Sequence, residues 1–129
     1  MKELTEVRTL KEGKYALLDE EPCTIMSITT SKPGKHGAAK ARIEAIGVFD
    51  GQKRTAIQPV TAKIYVPIIE RKNGQVLSIL EDTAQVMDLE DYSTTEIKIP
   101  ADLLEKGRIE PGKEISFLHY DGKYKIDIK

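Results

Sequence analysis

The chain has one cysteine, two histidines, two phenylalanines and no tryptophan in 129 residues. Each scarcity excludes something. A single cysteine, Cys23, forms no internal disulfide and points to a reducing compartment, the cytoplasm. One cysteine and two distant histidines, His36 and His119, make no recognisable zinc site, so no metal is expected. No apolar run approaches the roughly 20 residues that a membrane-spanning helix needs. The opening stretch Met1–Glu6 lacks the apolar core of a secretory signal. There is also no excess of either charge: 20 Lys and Arg stand against 21 Asp and Glu. A net charge of −1 argues against a nucleic-acid partner only if the charge is evenly spread.

It is not evenly spread. Residues 1–69 carry eleven cations and eight acids, a net of +3. Residues 70–129 carry nine and thirteen, a net of −4. From Ser31 to Arg42 stand Lys32, Lys35, Lys40 and Arg42, with His36 and no acid. Such a run can bind phosphate even on a neutral body, because the Debye length is only about 8 Å at physiological salt; the alternative reading of the same charges is a solvated loop.

Short apolar runs separated by turn signals give an all-β pattern. In the first half, strands are expected at 14–18, 23–30, 39–49, 54–58 and 63–67. Segment 31–38, with Pro33, Gly34 and Gly37 and no bulky apolar side chain, reads as a loop at the tip of a β-hairpin. Along 39–49, Ala39, Ala41, Ile43, Ala45, Gly47 and Phe49 share one face, and Lys40, Arg42 and Glu44 the other. In the second half, Asn73-Gly74 is a type I′ hairpin signal, predicting a turn between a strand ending near Lys72 and one at 75–80. Further strands are expected at 84–89, 94–99, 115–120 and 124–128, the last two joined by Asp121-Gly122. Pro100 to Gly107 carries the start and stop signals of one short helix. A helix before the last two strands is the order of an OB-fold, provided that 84–89 and 94–99 form one bent strand or a sheet extension. The first half suggests an SH3-like barrel. The expected architecture is therefore two domains: residues 1–69, an SH3-like barrel carrying the loop 31–38, and residues 70–129, an OB-fold barrel.

Catalytic patterns fail. Gly34-Lys35 matches the end of a phosphate-binding loop, but position 29 is Thr and position 36 is His. Cys23 alternates with Ile25 in a strand, as a buried core thiol does. The acids Asp19-Glu20-Glu21 and Glu90-Asp91 stand in turns. A Schiff-base role for Lys35 needs an apolar pocket that a Gly-flanked hairpin tip does not provide. No enzyme is expected.

The segment Thr30-Ser31-Lys32-Pro33-Gly34-Lys35-His36-Gly37, followed by Ala39-Lys40, resembles the signature of the translation initiation factor 5A family, archaeal branch. The resemblance extends through Cys23, Phe49-Asp50-Gly51-Gln52-Lys53 and Val66-Pro67, and so over the whole chain. It implies that Lys35 is converted to deoxyhypusine or hypusine by deoxyhypusine synthase, which transfers an aminobutyl group from spermidine; no other cofactor is implied. It implies that Lys32, Pro33, Gly34, His36 and Gly37 support that modification and the contact with tRNA, and that Lys32, Lys40 and Arg42 hold phosphates. Like bacterial elongation factor P, such a factor binds the ribosome beside peptidyl-tRNA and promotes peptide-bond formation, notably at consecutive prolines, and termination. A monomer is expected. The alternative from the residues alone is a single-stranded-RNA-binding OB-fold without lysine modification, using Tyr92, Phe117, Tyr120 and Tyr124 as stacking platforms.

Overall fold

A computed structural model describes residues 1–31 and 39–128. The expected loop, with Lys32, Pro33, Gly34, Lys35, His36 and Gly37, lies outside the described residues. The chain divides into two compact units, Met1–Ile68 and Ile69–Lys129.

The first unit is built from β1 (Lys2–Glu6), a single 3-10 turn at Val7–Thr9, β2 (Tyr15–Leu18), β3 (Glu21–Thr30), β4 (Lys40–Gly47), β5 (Lys53–Pro59) and β6 (Lys63–Pro67). Strands β2-β3-β4-β5 form one antiparallel sheet, and β1 pairs with β6. The sheet curls so that β2 meets both β5 and β6, giving the SH3-like barrel. Its core is Val7, Ala16, Leu18, Cys23, Ile25, Ala41, Ile43 and Ala45. The alternation in β4 is the reason: Ala41, Ile43, Ala45 and Gly47 are buried, while Lys40, Arg42 and Glu44 are exposed. The expected strand runs too far at its end. It stops at Gly47, Val48 turns into the interior, and Phe49 is only half-buried. Strand β1 carries no sequence signal, because Leu4 is its single large apolar residue and is itself 55% exposed. Pairing with β6 makes it a strand. The acids Asp19 and Glu20 form the two-residue turn between β2 and β3, both at positive φ (52° and 63°), as a type I′ hairpin requires.

The second unit holds β7 (Glu70–Leu80), β8 (Thr83–Asp88), β9 (Thr94–Lys98), α1 (Ala101–Glu105), β10 (Glu114–Tyr120) and β11 (Lys123–Ile126). The strand order is β11-β10-β7-β8-β9, and β9 meets β11 to close the barrel. This is the five-stranded OB-fold with its helix between third and fourth strands. Two expectations are corrected here. Asn73-Gly74 is not a turn: β7 runs unbroken through it, with Gly74 opposite Asp88 on one side and Ile115 on the other. A Cβ on Gly74 would sit 2.5 Å from Val86 Cγ1 and 3.0 Å from Phe117 Cε1. The glycine is there because two core side chains close over it, not because the chain reverses. Consequently 83–88 and 94–98 are separate antiparallel strands rather than one bent strand, and the count of five is reached without joining them. Asp121-Gly122 does turn the chain, at φ 46° and 78°. The helix ends where expected, with Gly107 at φ 62° and the Arg108 N–H returning to the Leu103 carbonyl, a Schellman-type stop. The core comprises Val76, Ala84, Val86, Ile97, Ile99, Ile109, Ile115, Phe117 and Ile126.

Among the described residues, no helix is long and apolar enough to cross a membrane.

Candidate functional site

Strands β3 and β4 position the site. They run antiparallel with Ile28 opposite Ile43, Thr29 opposite Arg42 and Thr30 opposite Ala41. The chain ends flanking residues 32–38 are therefore held side by side. Beyond the last of these pairs, the Ser31 N–H donates to the Lys40 carbonyl at 2.9 Å, and the Ser31 hydroxyl also lies against Lys40. The carbonyl of Ala39 accepts the Val60 N–H at 3.0 Å.

Of the expected phosphate-binding residues, Lys40 and Arg42 are described, and both are exposed on the outer face of β4. Arg42 is not a free cation. Its guanidinium meets Glu44 at 3.3 Å, and Glu44 also accepts the Ser27 hydroxyl at 2.9 Å. That hydrogen bond, aided by Arg42, holds the Glu44 carboxyl below its ordinary range. Both partners are exposed and screened by solvent, so a phosphate can displace Glu44 from Arg42 at little cost. The acid-free run thus ends two residues before a carboxylate that shares its face. A further cation on this face is Lys53, which faces Ile46 across the ladder. Its signal is the alternation of Lys53, Thr55 and Ile57 along β5, legible only once β5 is paired with β4.

Cys23 is fully buried and donates to the Glu21 carbonyl at 3.3 Å. Burial pushes its thiol up, with Arg54 opposing, so it stays protonated and packs as part of the core. Nearby, Arg54 makes a two-pronged pair with Asp50 at 3.1 and 2.8 Å, and the same carboxylate accepts the Gln52 N–H at 3.0 Å. Gly47 lies beneath: a Cβ there would fall 1.8 Å from Asp50 Oδ1. This arrangement fixes the turn between β4 and β5.

In the second unit the aromatic residues are mostly unavailable for stacking. Phe117 is 1% and Tyr120 9% exposed, and Tyr124 stacks on His119 at 4.7 Å. Of the four, only Tyr92 projects into solvent, at 72% exposure. His119 in turn meets Glu70 at 3.2 Å. Asp88 is the one charged residue buried among the described ones, at 6%, and pairs with Lys72 at 2.9 Å. Burial pushes the Asp88 carboxyl up, but the Lys72 ammonium and the Glu90 N–H outweigh it and leave it below the ordinary value. The hydrogen bond to Asp88 pushes Lys72 up to about 12.

The stability this pair contributes has two limits. A lowered carboxylate stabilises above its unfolded value of about 3.9, and that contribution is lost as pH falls through the lower folded value. A raised amine stabilises below about 10.4, and its contribution is lost as pH rises through the folded value. Lys72→Met is expected to cost about 3 kcal/mol at neutral pH, because it leaves Asp88 buried and unpaired. Urea midpoints measured from pH 3 to 7 should show the gap between variant and wild type narrowing as pH falls, because the Asp88 carboxyl of the variant, raised by burial without its cation, takes up a proton before that of wild type. A gap that stays constant across that range would contradict this account of the pair.

An SH3-like barrel followed by an OB-fold, the first unit basic and the second acidic, defines a two-barrel, all-β protein. Its similarity to known proteins gives the family. Residues 3–62 match the model described as translation initiation factor 5A-like, N-terminal, and residues 68–129 match that described as eukaryotic elongation factor 5A hypusine, DNA-binding OB fold. Translation initiation factor 5A of Methanothrix thermoacetophila is 59% identical over 129 residues, covering 100% of both chains. That of Methanococcoides burtonii is 60% identical over the same full lengths. The solved structure of eukaryotic translation initiation factor 5A from Methanococcus jannaschii superposes with a TM-score of 0.88 at 43% identity, covering 98% of this chain and 93% of that one. The chain belongs to the translation initiation factor 5A family.

Proposed function

We propose that this protein is a cytoplasmic, monomeric translation factor, not an enzyme, that binds the ribosome beside peptidyl-tRNA. In this reading residues 1–69 are the SH3-like domain carrying the active loop 31–38, and residues 70–129 are the OB-fold domain. Lys35 is the working residue. Deoxyhypusine synthase joins its Nζ to the aminobutyl carbon of spermidine, breaking the bond from that carbon to the secondary amine. The 1,3-diaminopropane half leaves with the proton from Nζ, and the net exchange is redox-neutral. The product, deoxyhypusine or its hydroxylated form hypusine, has roughly twice the reach of lysine, at about 1.2 Å per added bond, and a second positive centre. Gly34 and Gly37 keep the backbone beside Lys35 free of bulk, while Lys32, Pro33 and His36 complete the loop. Lys32, Lys40 and Arg42 hold phosphates of rRNA and tRNA, contacts that position without reading sequence. Orienting the acceptor end speeds peptide-bond formation at consecutive prolines and assists termination, with the ribosome supplying the catalysis.

The observation that supports this reading is the pairing of β3 with β4 up to Thr30 and Ala41, extended by the Ser31–Lys40 backbone hydrogen bond, with the exposed cations Lys40 and Arg42 on β4. The buried state of Phe117 and Tyr120 weighs against a general single-stranded-RNA binder. Ribosome co-sedimentation across a salt series tests the electrostatic part. Replacing Lys32, Lys40 and Arg42 together by Ala is expected to weaken binding and to reduce the slope of log K against log salt by roughly one per cation that contacts a phosphate. An unchanged slope, or equally tight binding of a bare single-stranded oligonucleotide, would refute it.

A further inference from the structure

We infer that Ser31 is a positioning residue for the loop that carries Lys35: its hydroxyl closes the neck through which the chain leaves the β3–β4 ladder. The inference rests on the proposed role of Lys35, but its structural half can be tested without that role.

In an antiparallel ladder, facing residues in a hydrogen-bonded pair exchange two backbone bonds, each N–H to the other's carbonyl. Ser31 and Lys40 make only half of this exchange with their backbones. The Ser31 N–H donates to the Lys40 carbonyl at 2.9 Å. The Lys40 N–H instead donates to Ser31 Oγ, at 3.4 Å. The same hydroxyl donates back to the Lys40 carbonyl at 3.3 Å. The side-chain oxygen thus takes the place of a backbone carbonyl as acceptor for the Lys40 N–H, and keeps Ser31 and Lys40 together. The second leg is tied from its other side, because the Ala39 carbonyl accepts the Val60 N–H at 3.0 Å and Val60 packs against the core of its unit.

Both hydroxyl contacts are long, so each is weak, and their effect is not on global stability. It falls on the width of the loop's mouth. A loop whose ends are already held has part of its closure entropy removed before a partner arrives. Two partners benefit in turn, the modifying enzyme and the tRNA acceptor end. Alanine removes the oxygen that Lys40 needs. Threonine keeps it and suits extended backbone.

The test uses full-length wild type, Ser31→Ala and Ser31→Thr. Amide hydrogen exchange on unmodified protein reads the neck directly: the Lys40 amide is expected to exchange roughly three- to tenfold faster in Ser31→Ala and near the wild-type rate in Ser31→Thr. Steady-state labelling by deoxyhypusine synthase with labelled spermidine then reads the consequence. The KM for Ser31→Ala should rise by roughly the same factor with little change in kcat, at an unchanged melting temperature, and Ser31→Thr should restore it. Unchanged Lys40 exchange, a wild-type kcat/KM for Ser31→Ala, or failure of threonine to rescue would overturn the inference. If wild type takes no label, the reading of Lys35 falls, and the exchange rates still decide whether Ser31 holds the neck.

Discussion

Lys35→Arg is expected to abolish synthesis through consecutive prolines while leaving the fold unchanged. Arginine keeps the positive charge and much of the length, so a role resting on charge alone would survive the substitution. Aminobutyl transfer needs an amine that can lose its proton and form a new bond to carbon. A guanidinium stays protonated at any physiological pH and presents a planar, delocalised group instead. The variant therefore cannot acquire the extended side chain. Losing a group that orients the reacting end is worth up to about 10²-fold in rate. In a reconstituted translation reaction, the variant should leave proline-stalled synthesis near the rate seen without factor. A message lacking consecutive prolines should be translated almost normally. The melting temperature should be unaltered, because residues 31–38 include no bulky apolar side chain to lose. Restoration of proline-stalled synthesis by Lys35→Arg would sink the proposed mechanism.

The second large effect is structural. Gly74→Ala places a methyl group 2.5 Å from Val86 Cγ1 and 3.0 Å from both the Met87 carbonyl oxygen and Phe117 Cε1. Val86 is completely buried and Phe117 is 1% exposed, so neither has free space to move into. Overpacking of this kind costs about 1–3 kcal/mol, and the rigid surroundings place it at the upper end. For a unit of this size the melting temperature should fall by about 10 °C or more. Val86→Ala supplies a control, since it removes the atom that clashes. Alone it destabilises by about 2 kcal/mol through the space it leaves. Combined with Gly74→Ala it should cost less than the two singles added together, by about 1 kcal/mol or more. A Gly74→Ala protein as stable as wild type, or strict additivity, would show that the glycine is not held by these two side chains.

Gly74 also marks where the sequence was least legible. The dipeptide Asn73-Gly74 has the local chemistry of a hairpin turn, and nothing within ten residues contradicts that reading. The contradiction comes from Val86 and Phe117, twelve and forty-three positions away, which need the glycine as a place to close over. Strand β1 is the opposite case: Lys2–Glu6 has no pattern, and its pairing with β6 about sixty residues later makes it extended. Features written within one segment were readable. The alternation of Ala41, Ile43 and Ala45 against Lys40, Arg42 and Glu44 assigns both faces of β4. Pro100 and Gly107 bracket the helix, and Asp121-Gly122 joins the last two strands. The candidate site divides in the same way. Lys40 and Arg42 could be placed from alternation, whereas the Arg42–Glu44–Ser27 contact and the position of Lys53 depend on which strands lie side by side. The near-zero net charge hides all of this, since it averages a basic unit with an acidic one.

The central claim is that Lys35 works as a modified residue, and peptide mass spectrometry of the protein purified from its native source tests it most directly. The account predicts a peptide spanning residues 31–40 in which Lys35 alone carries an added aminobutyl group, with or without a hydroxyl. An unmodified Lys35 in that material would contradict it.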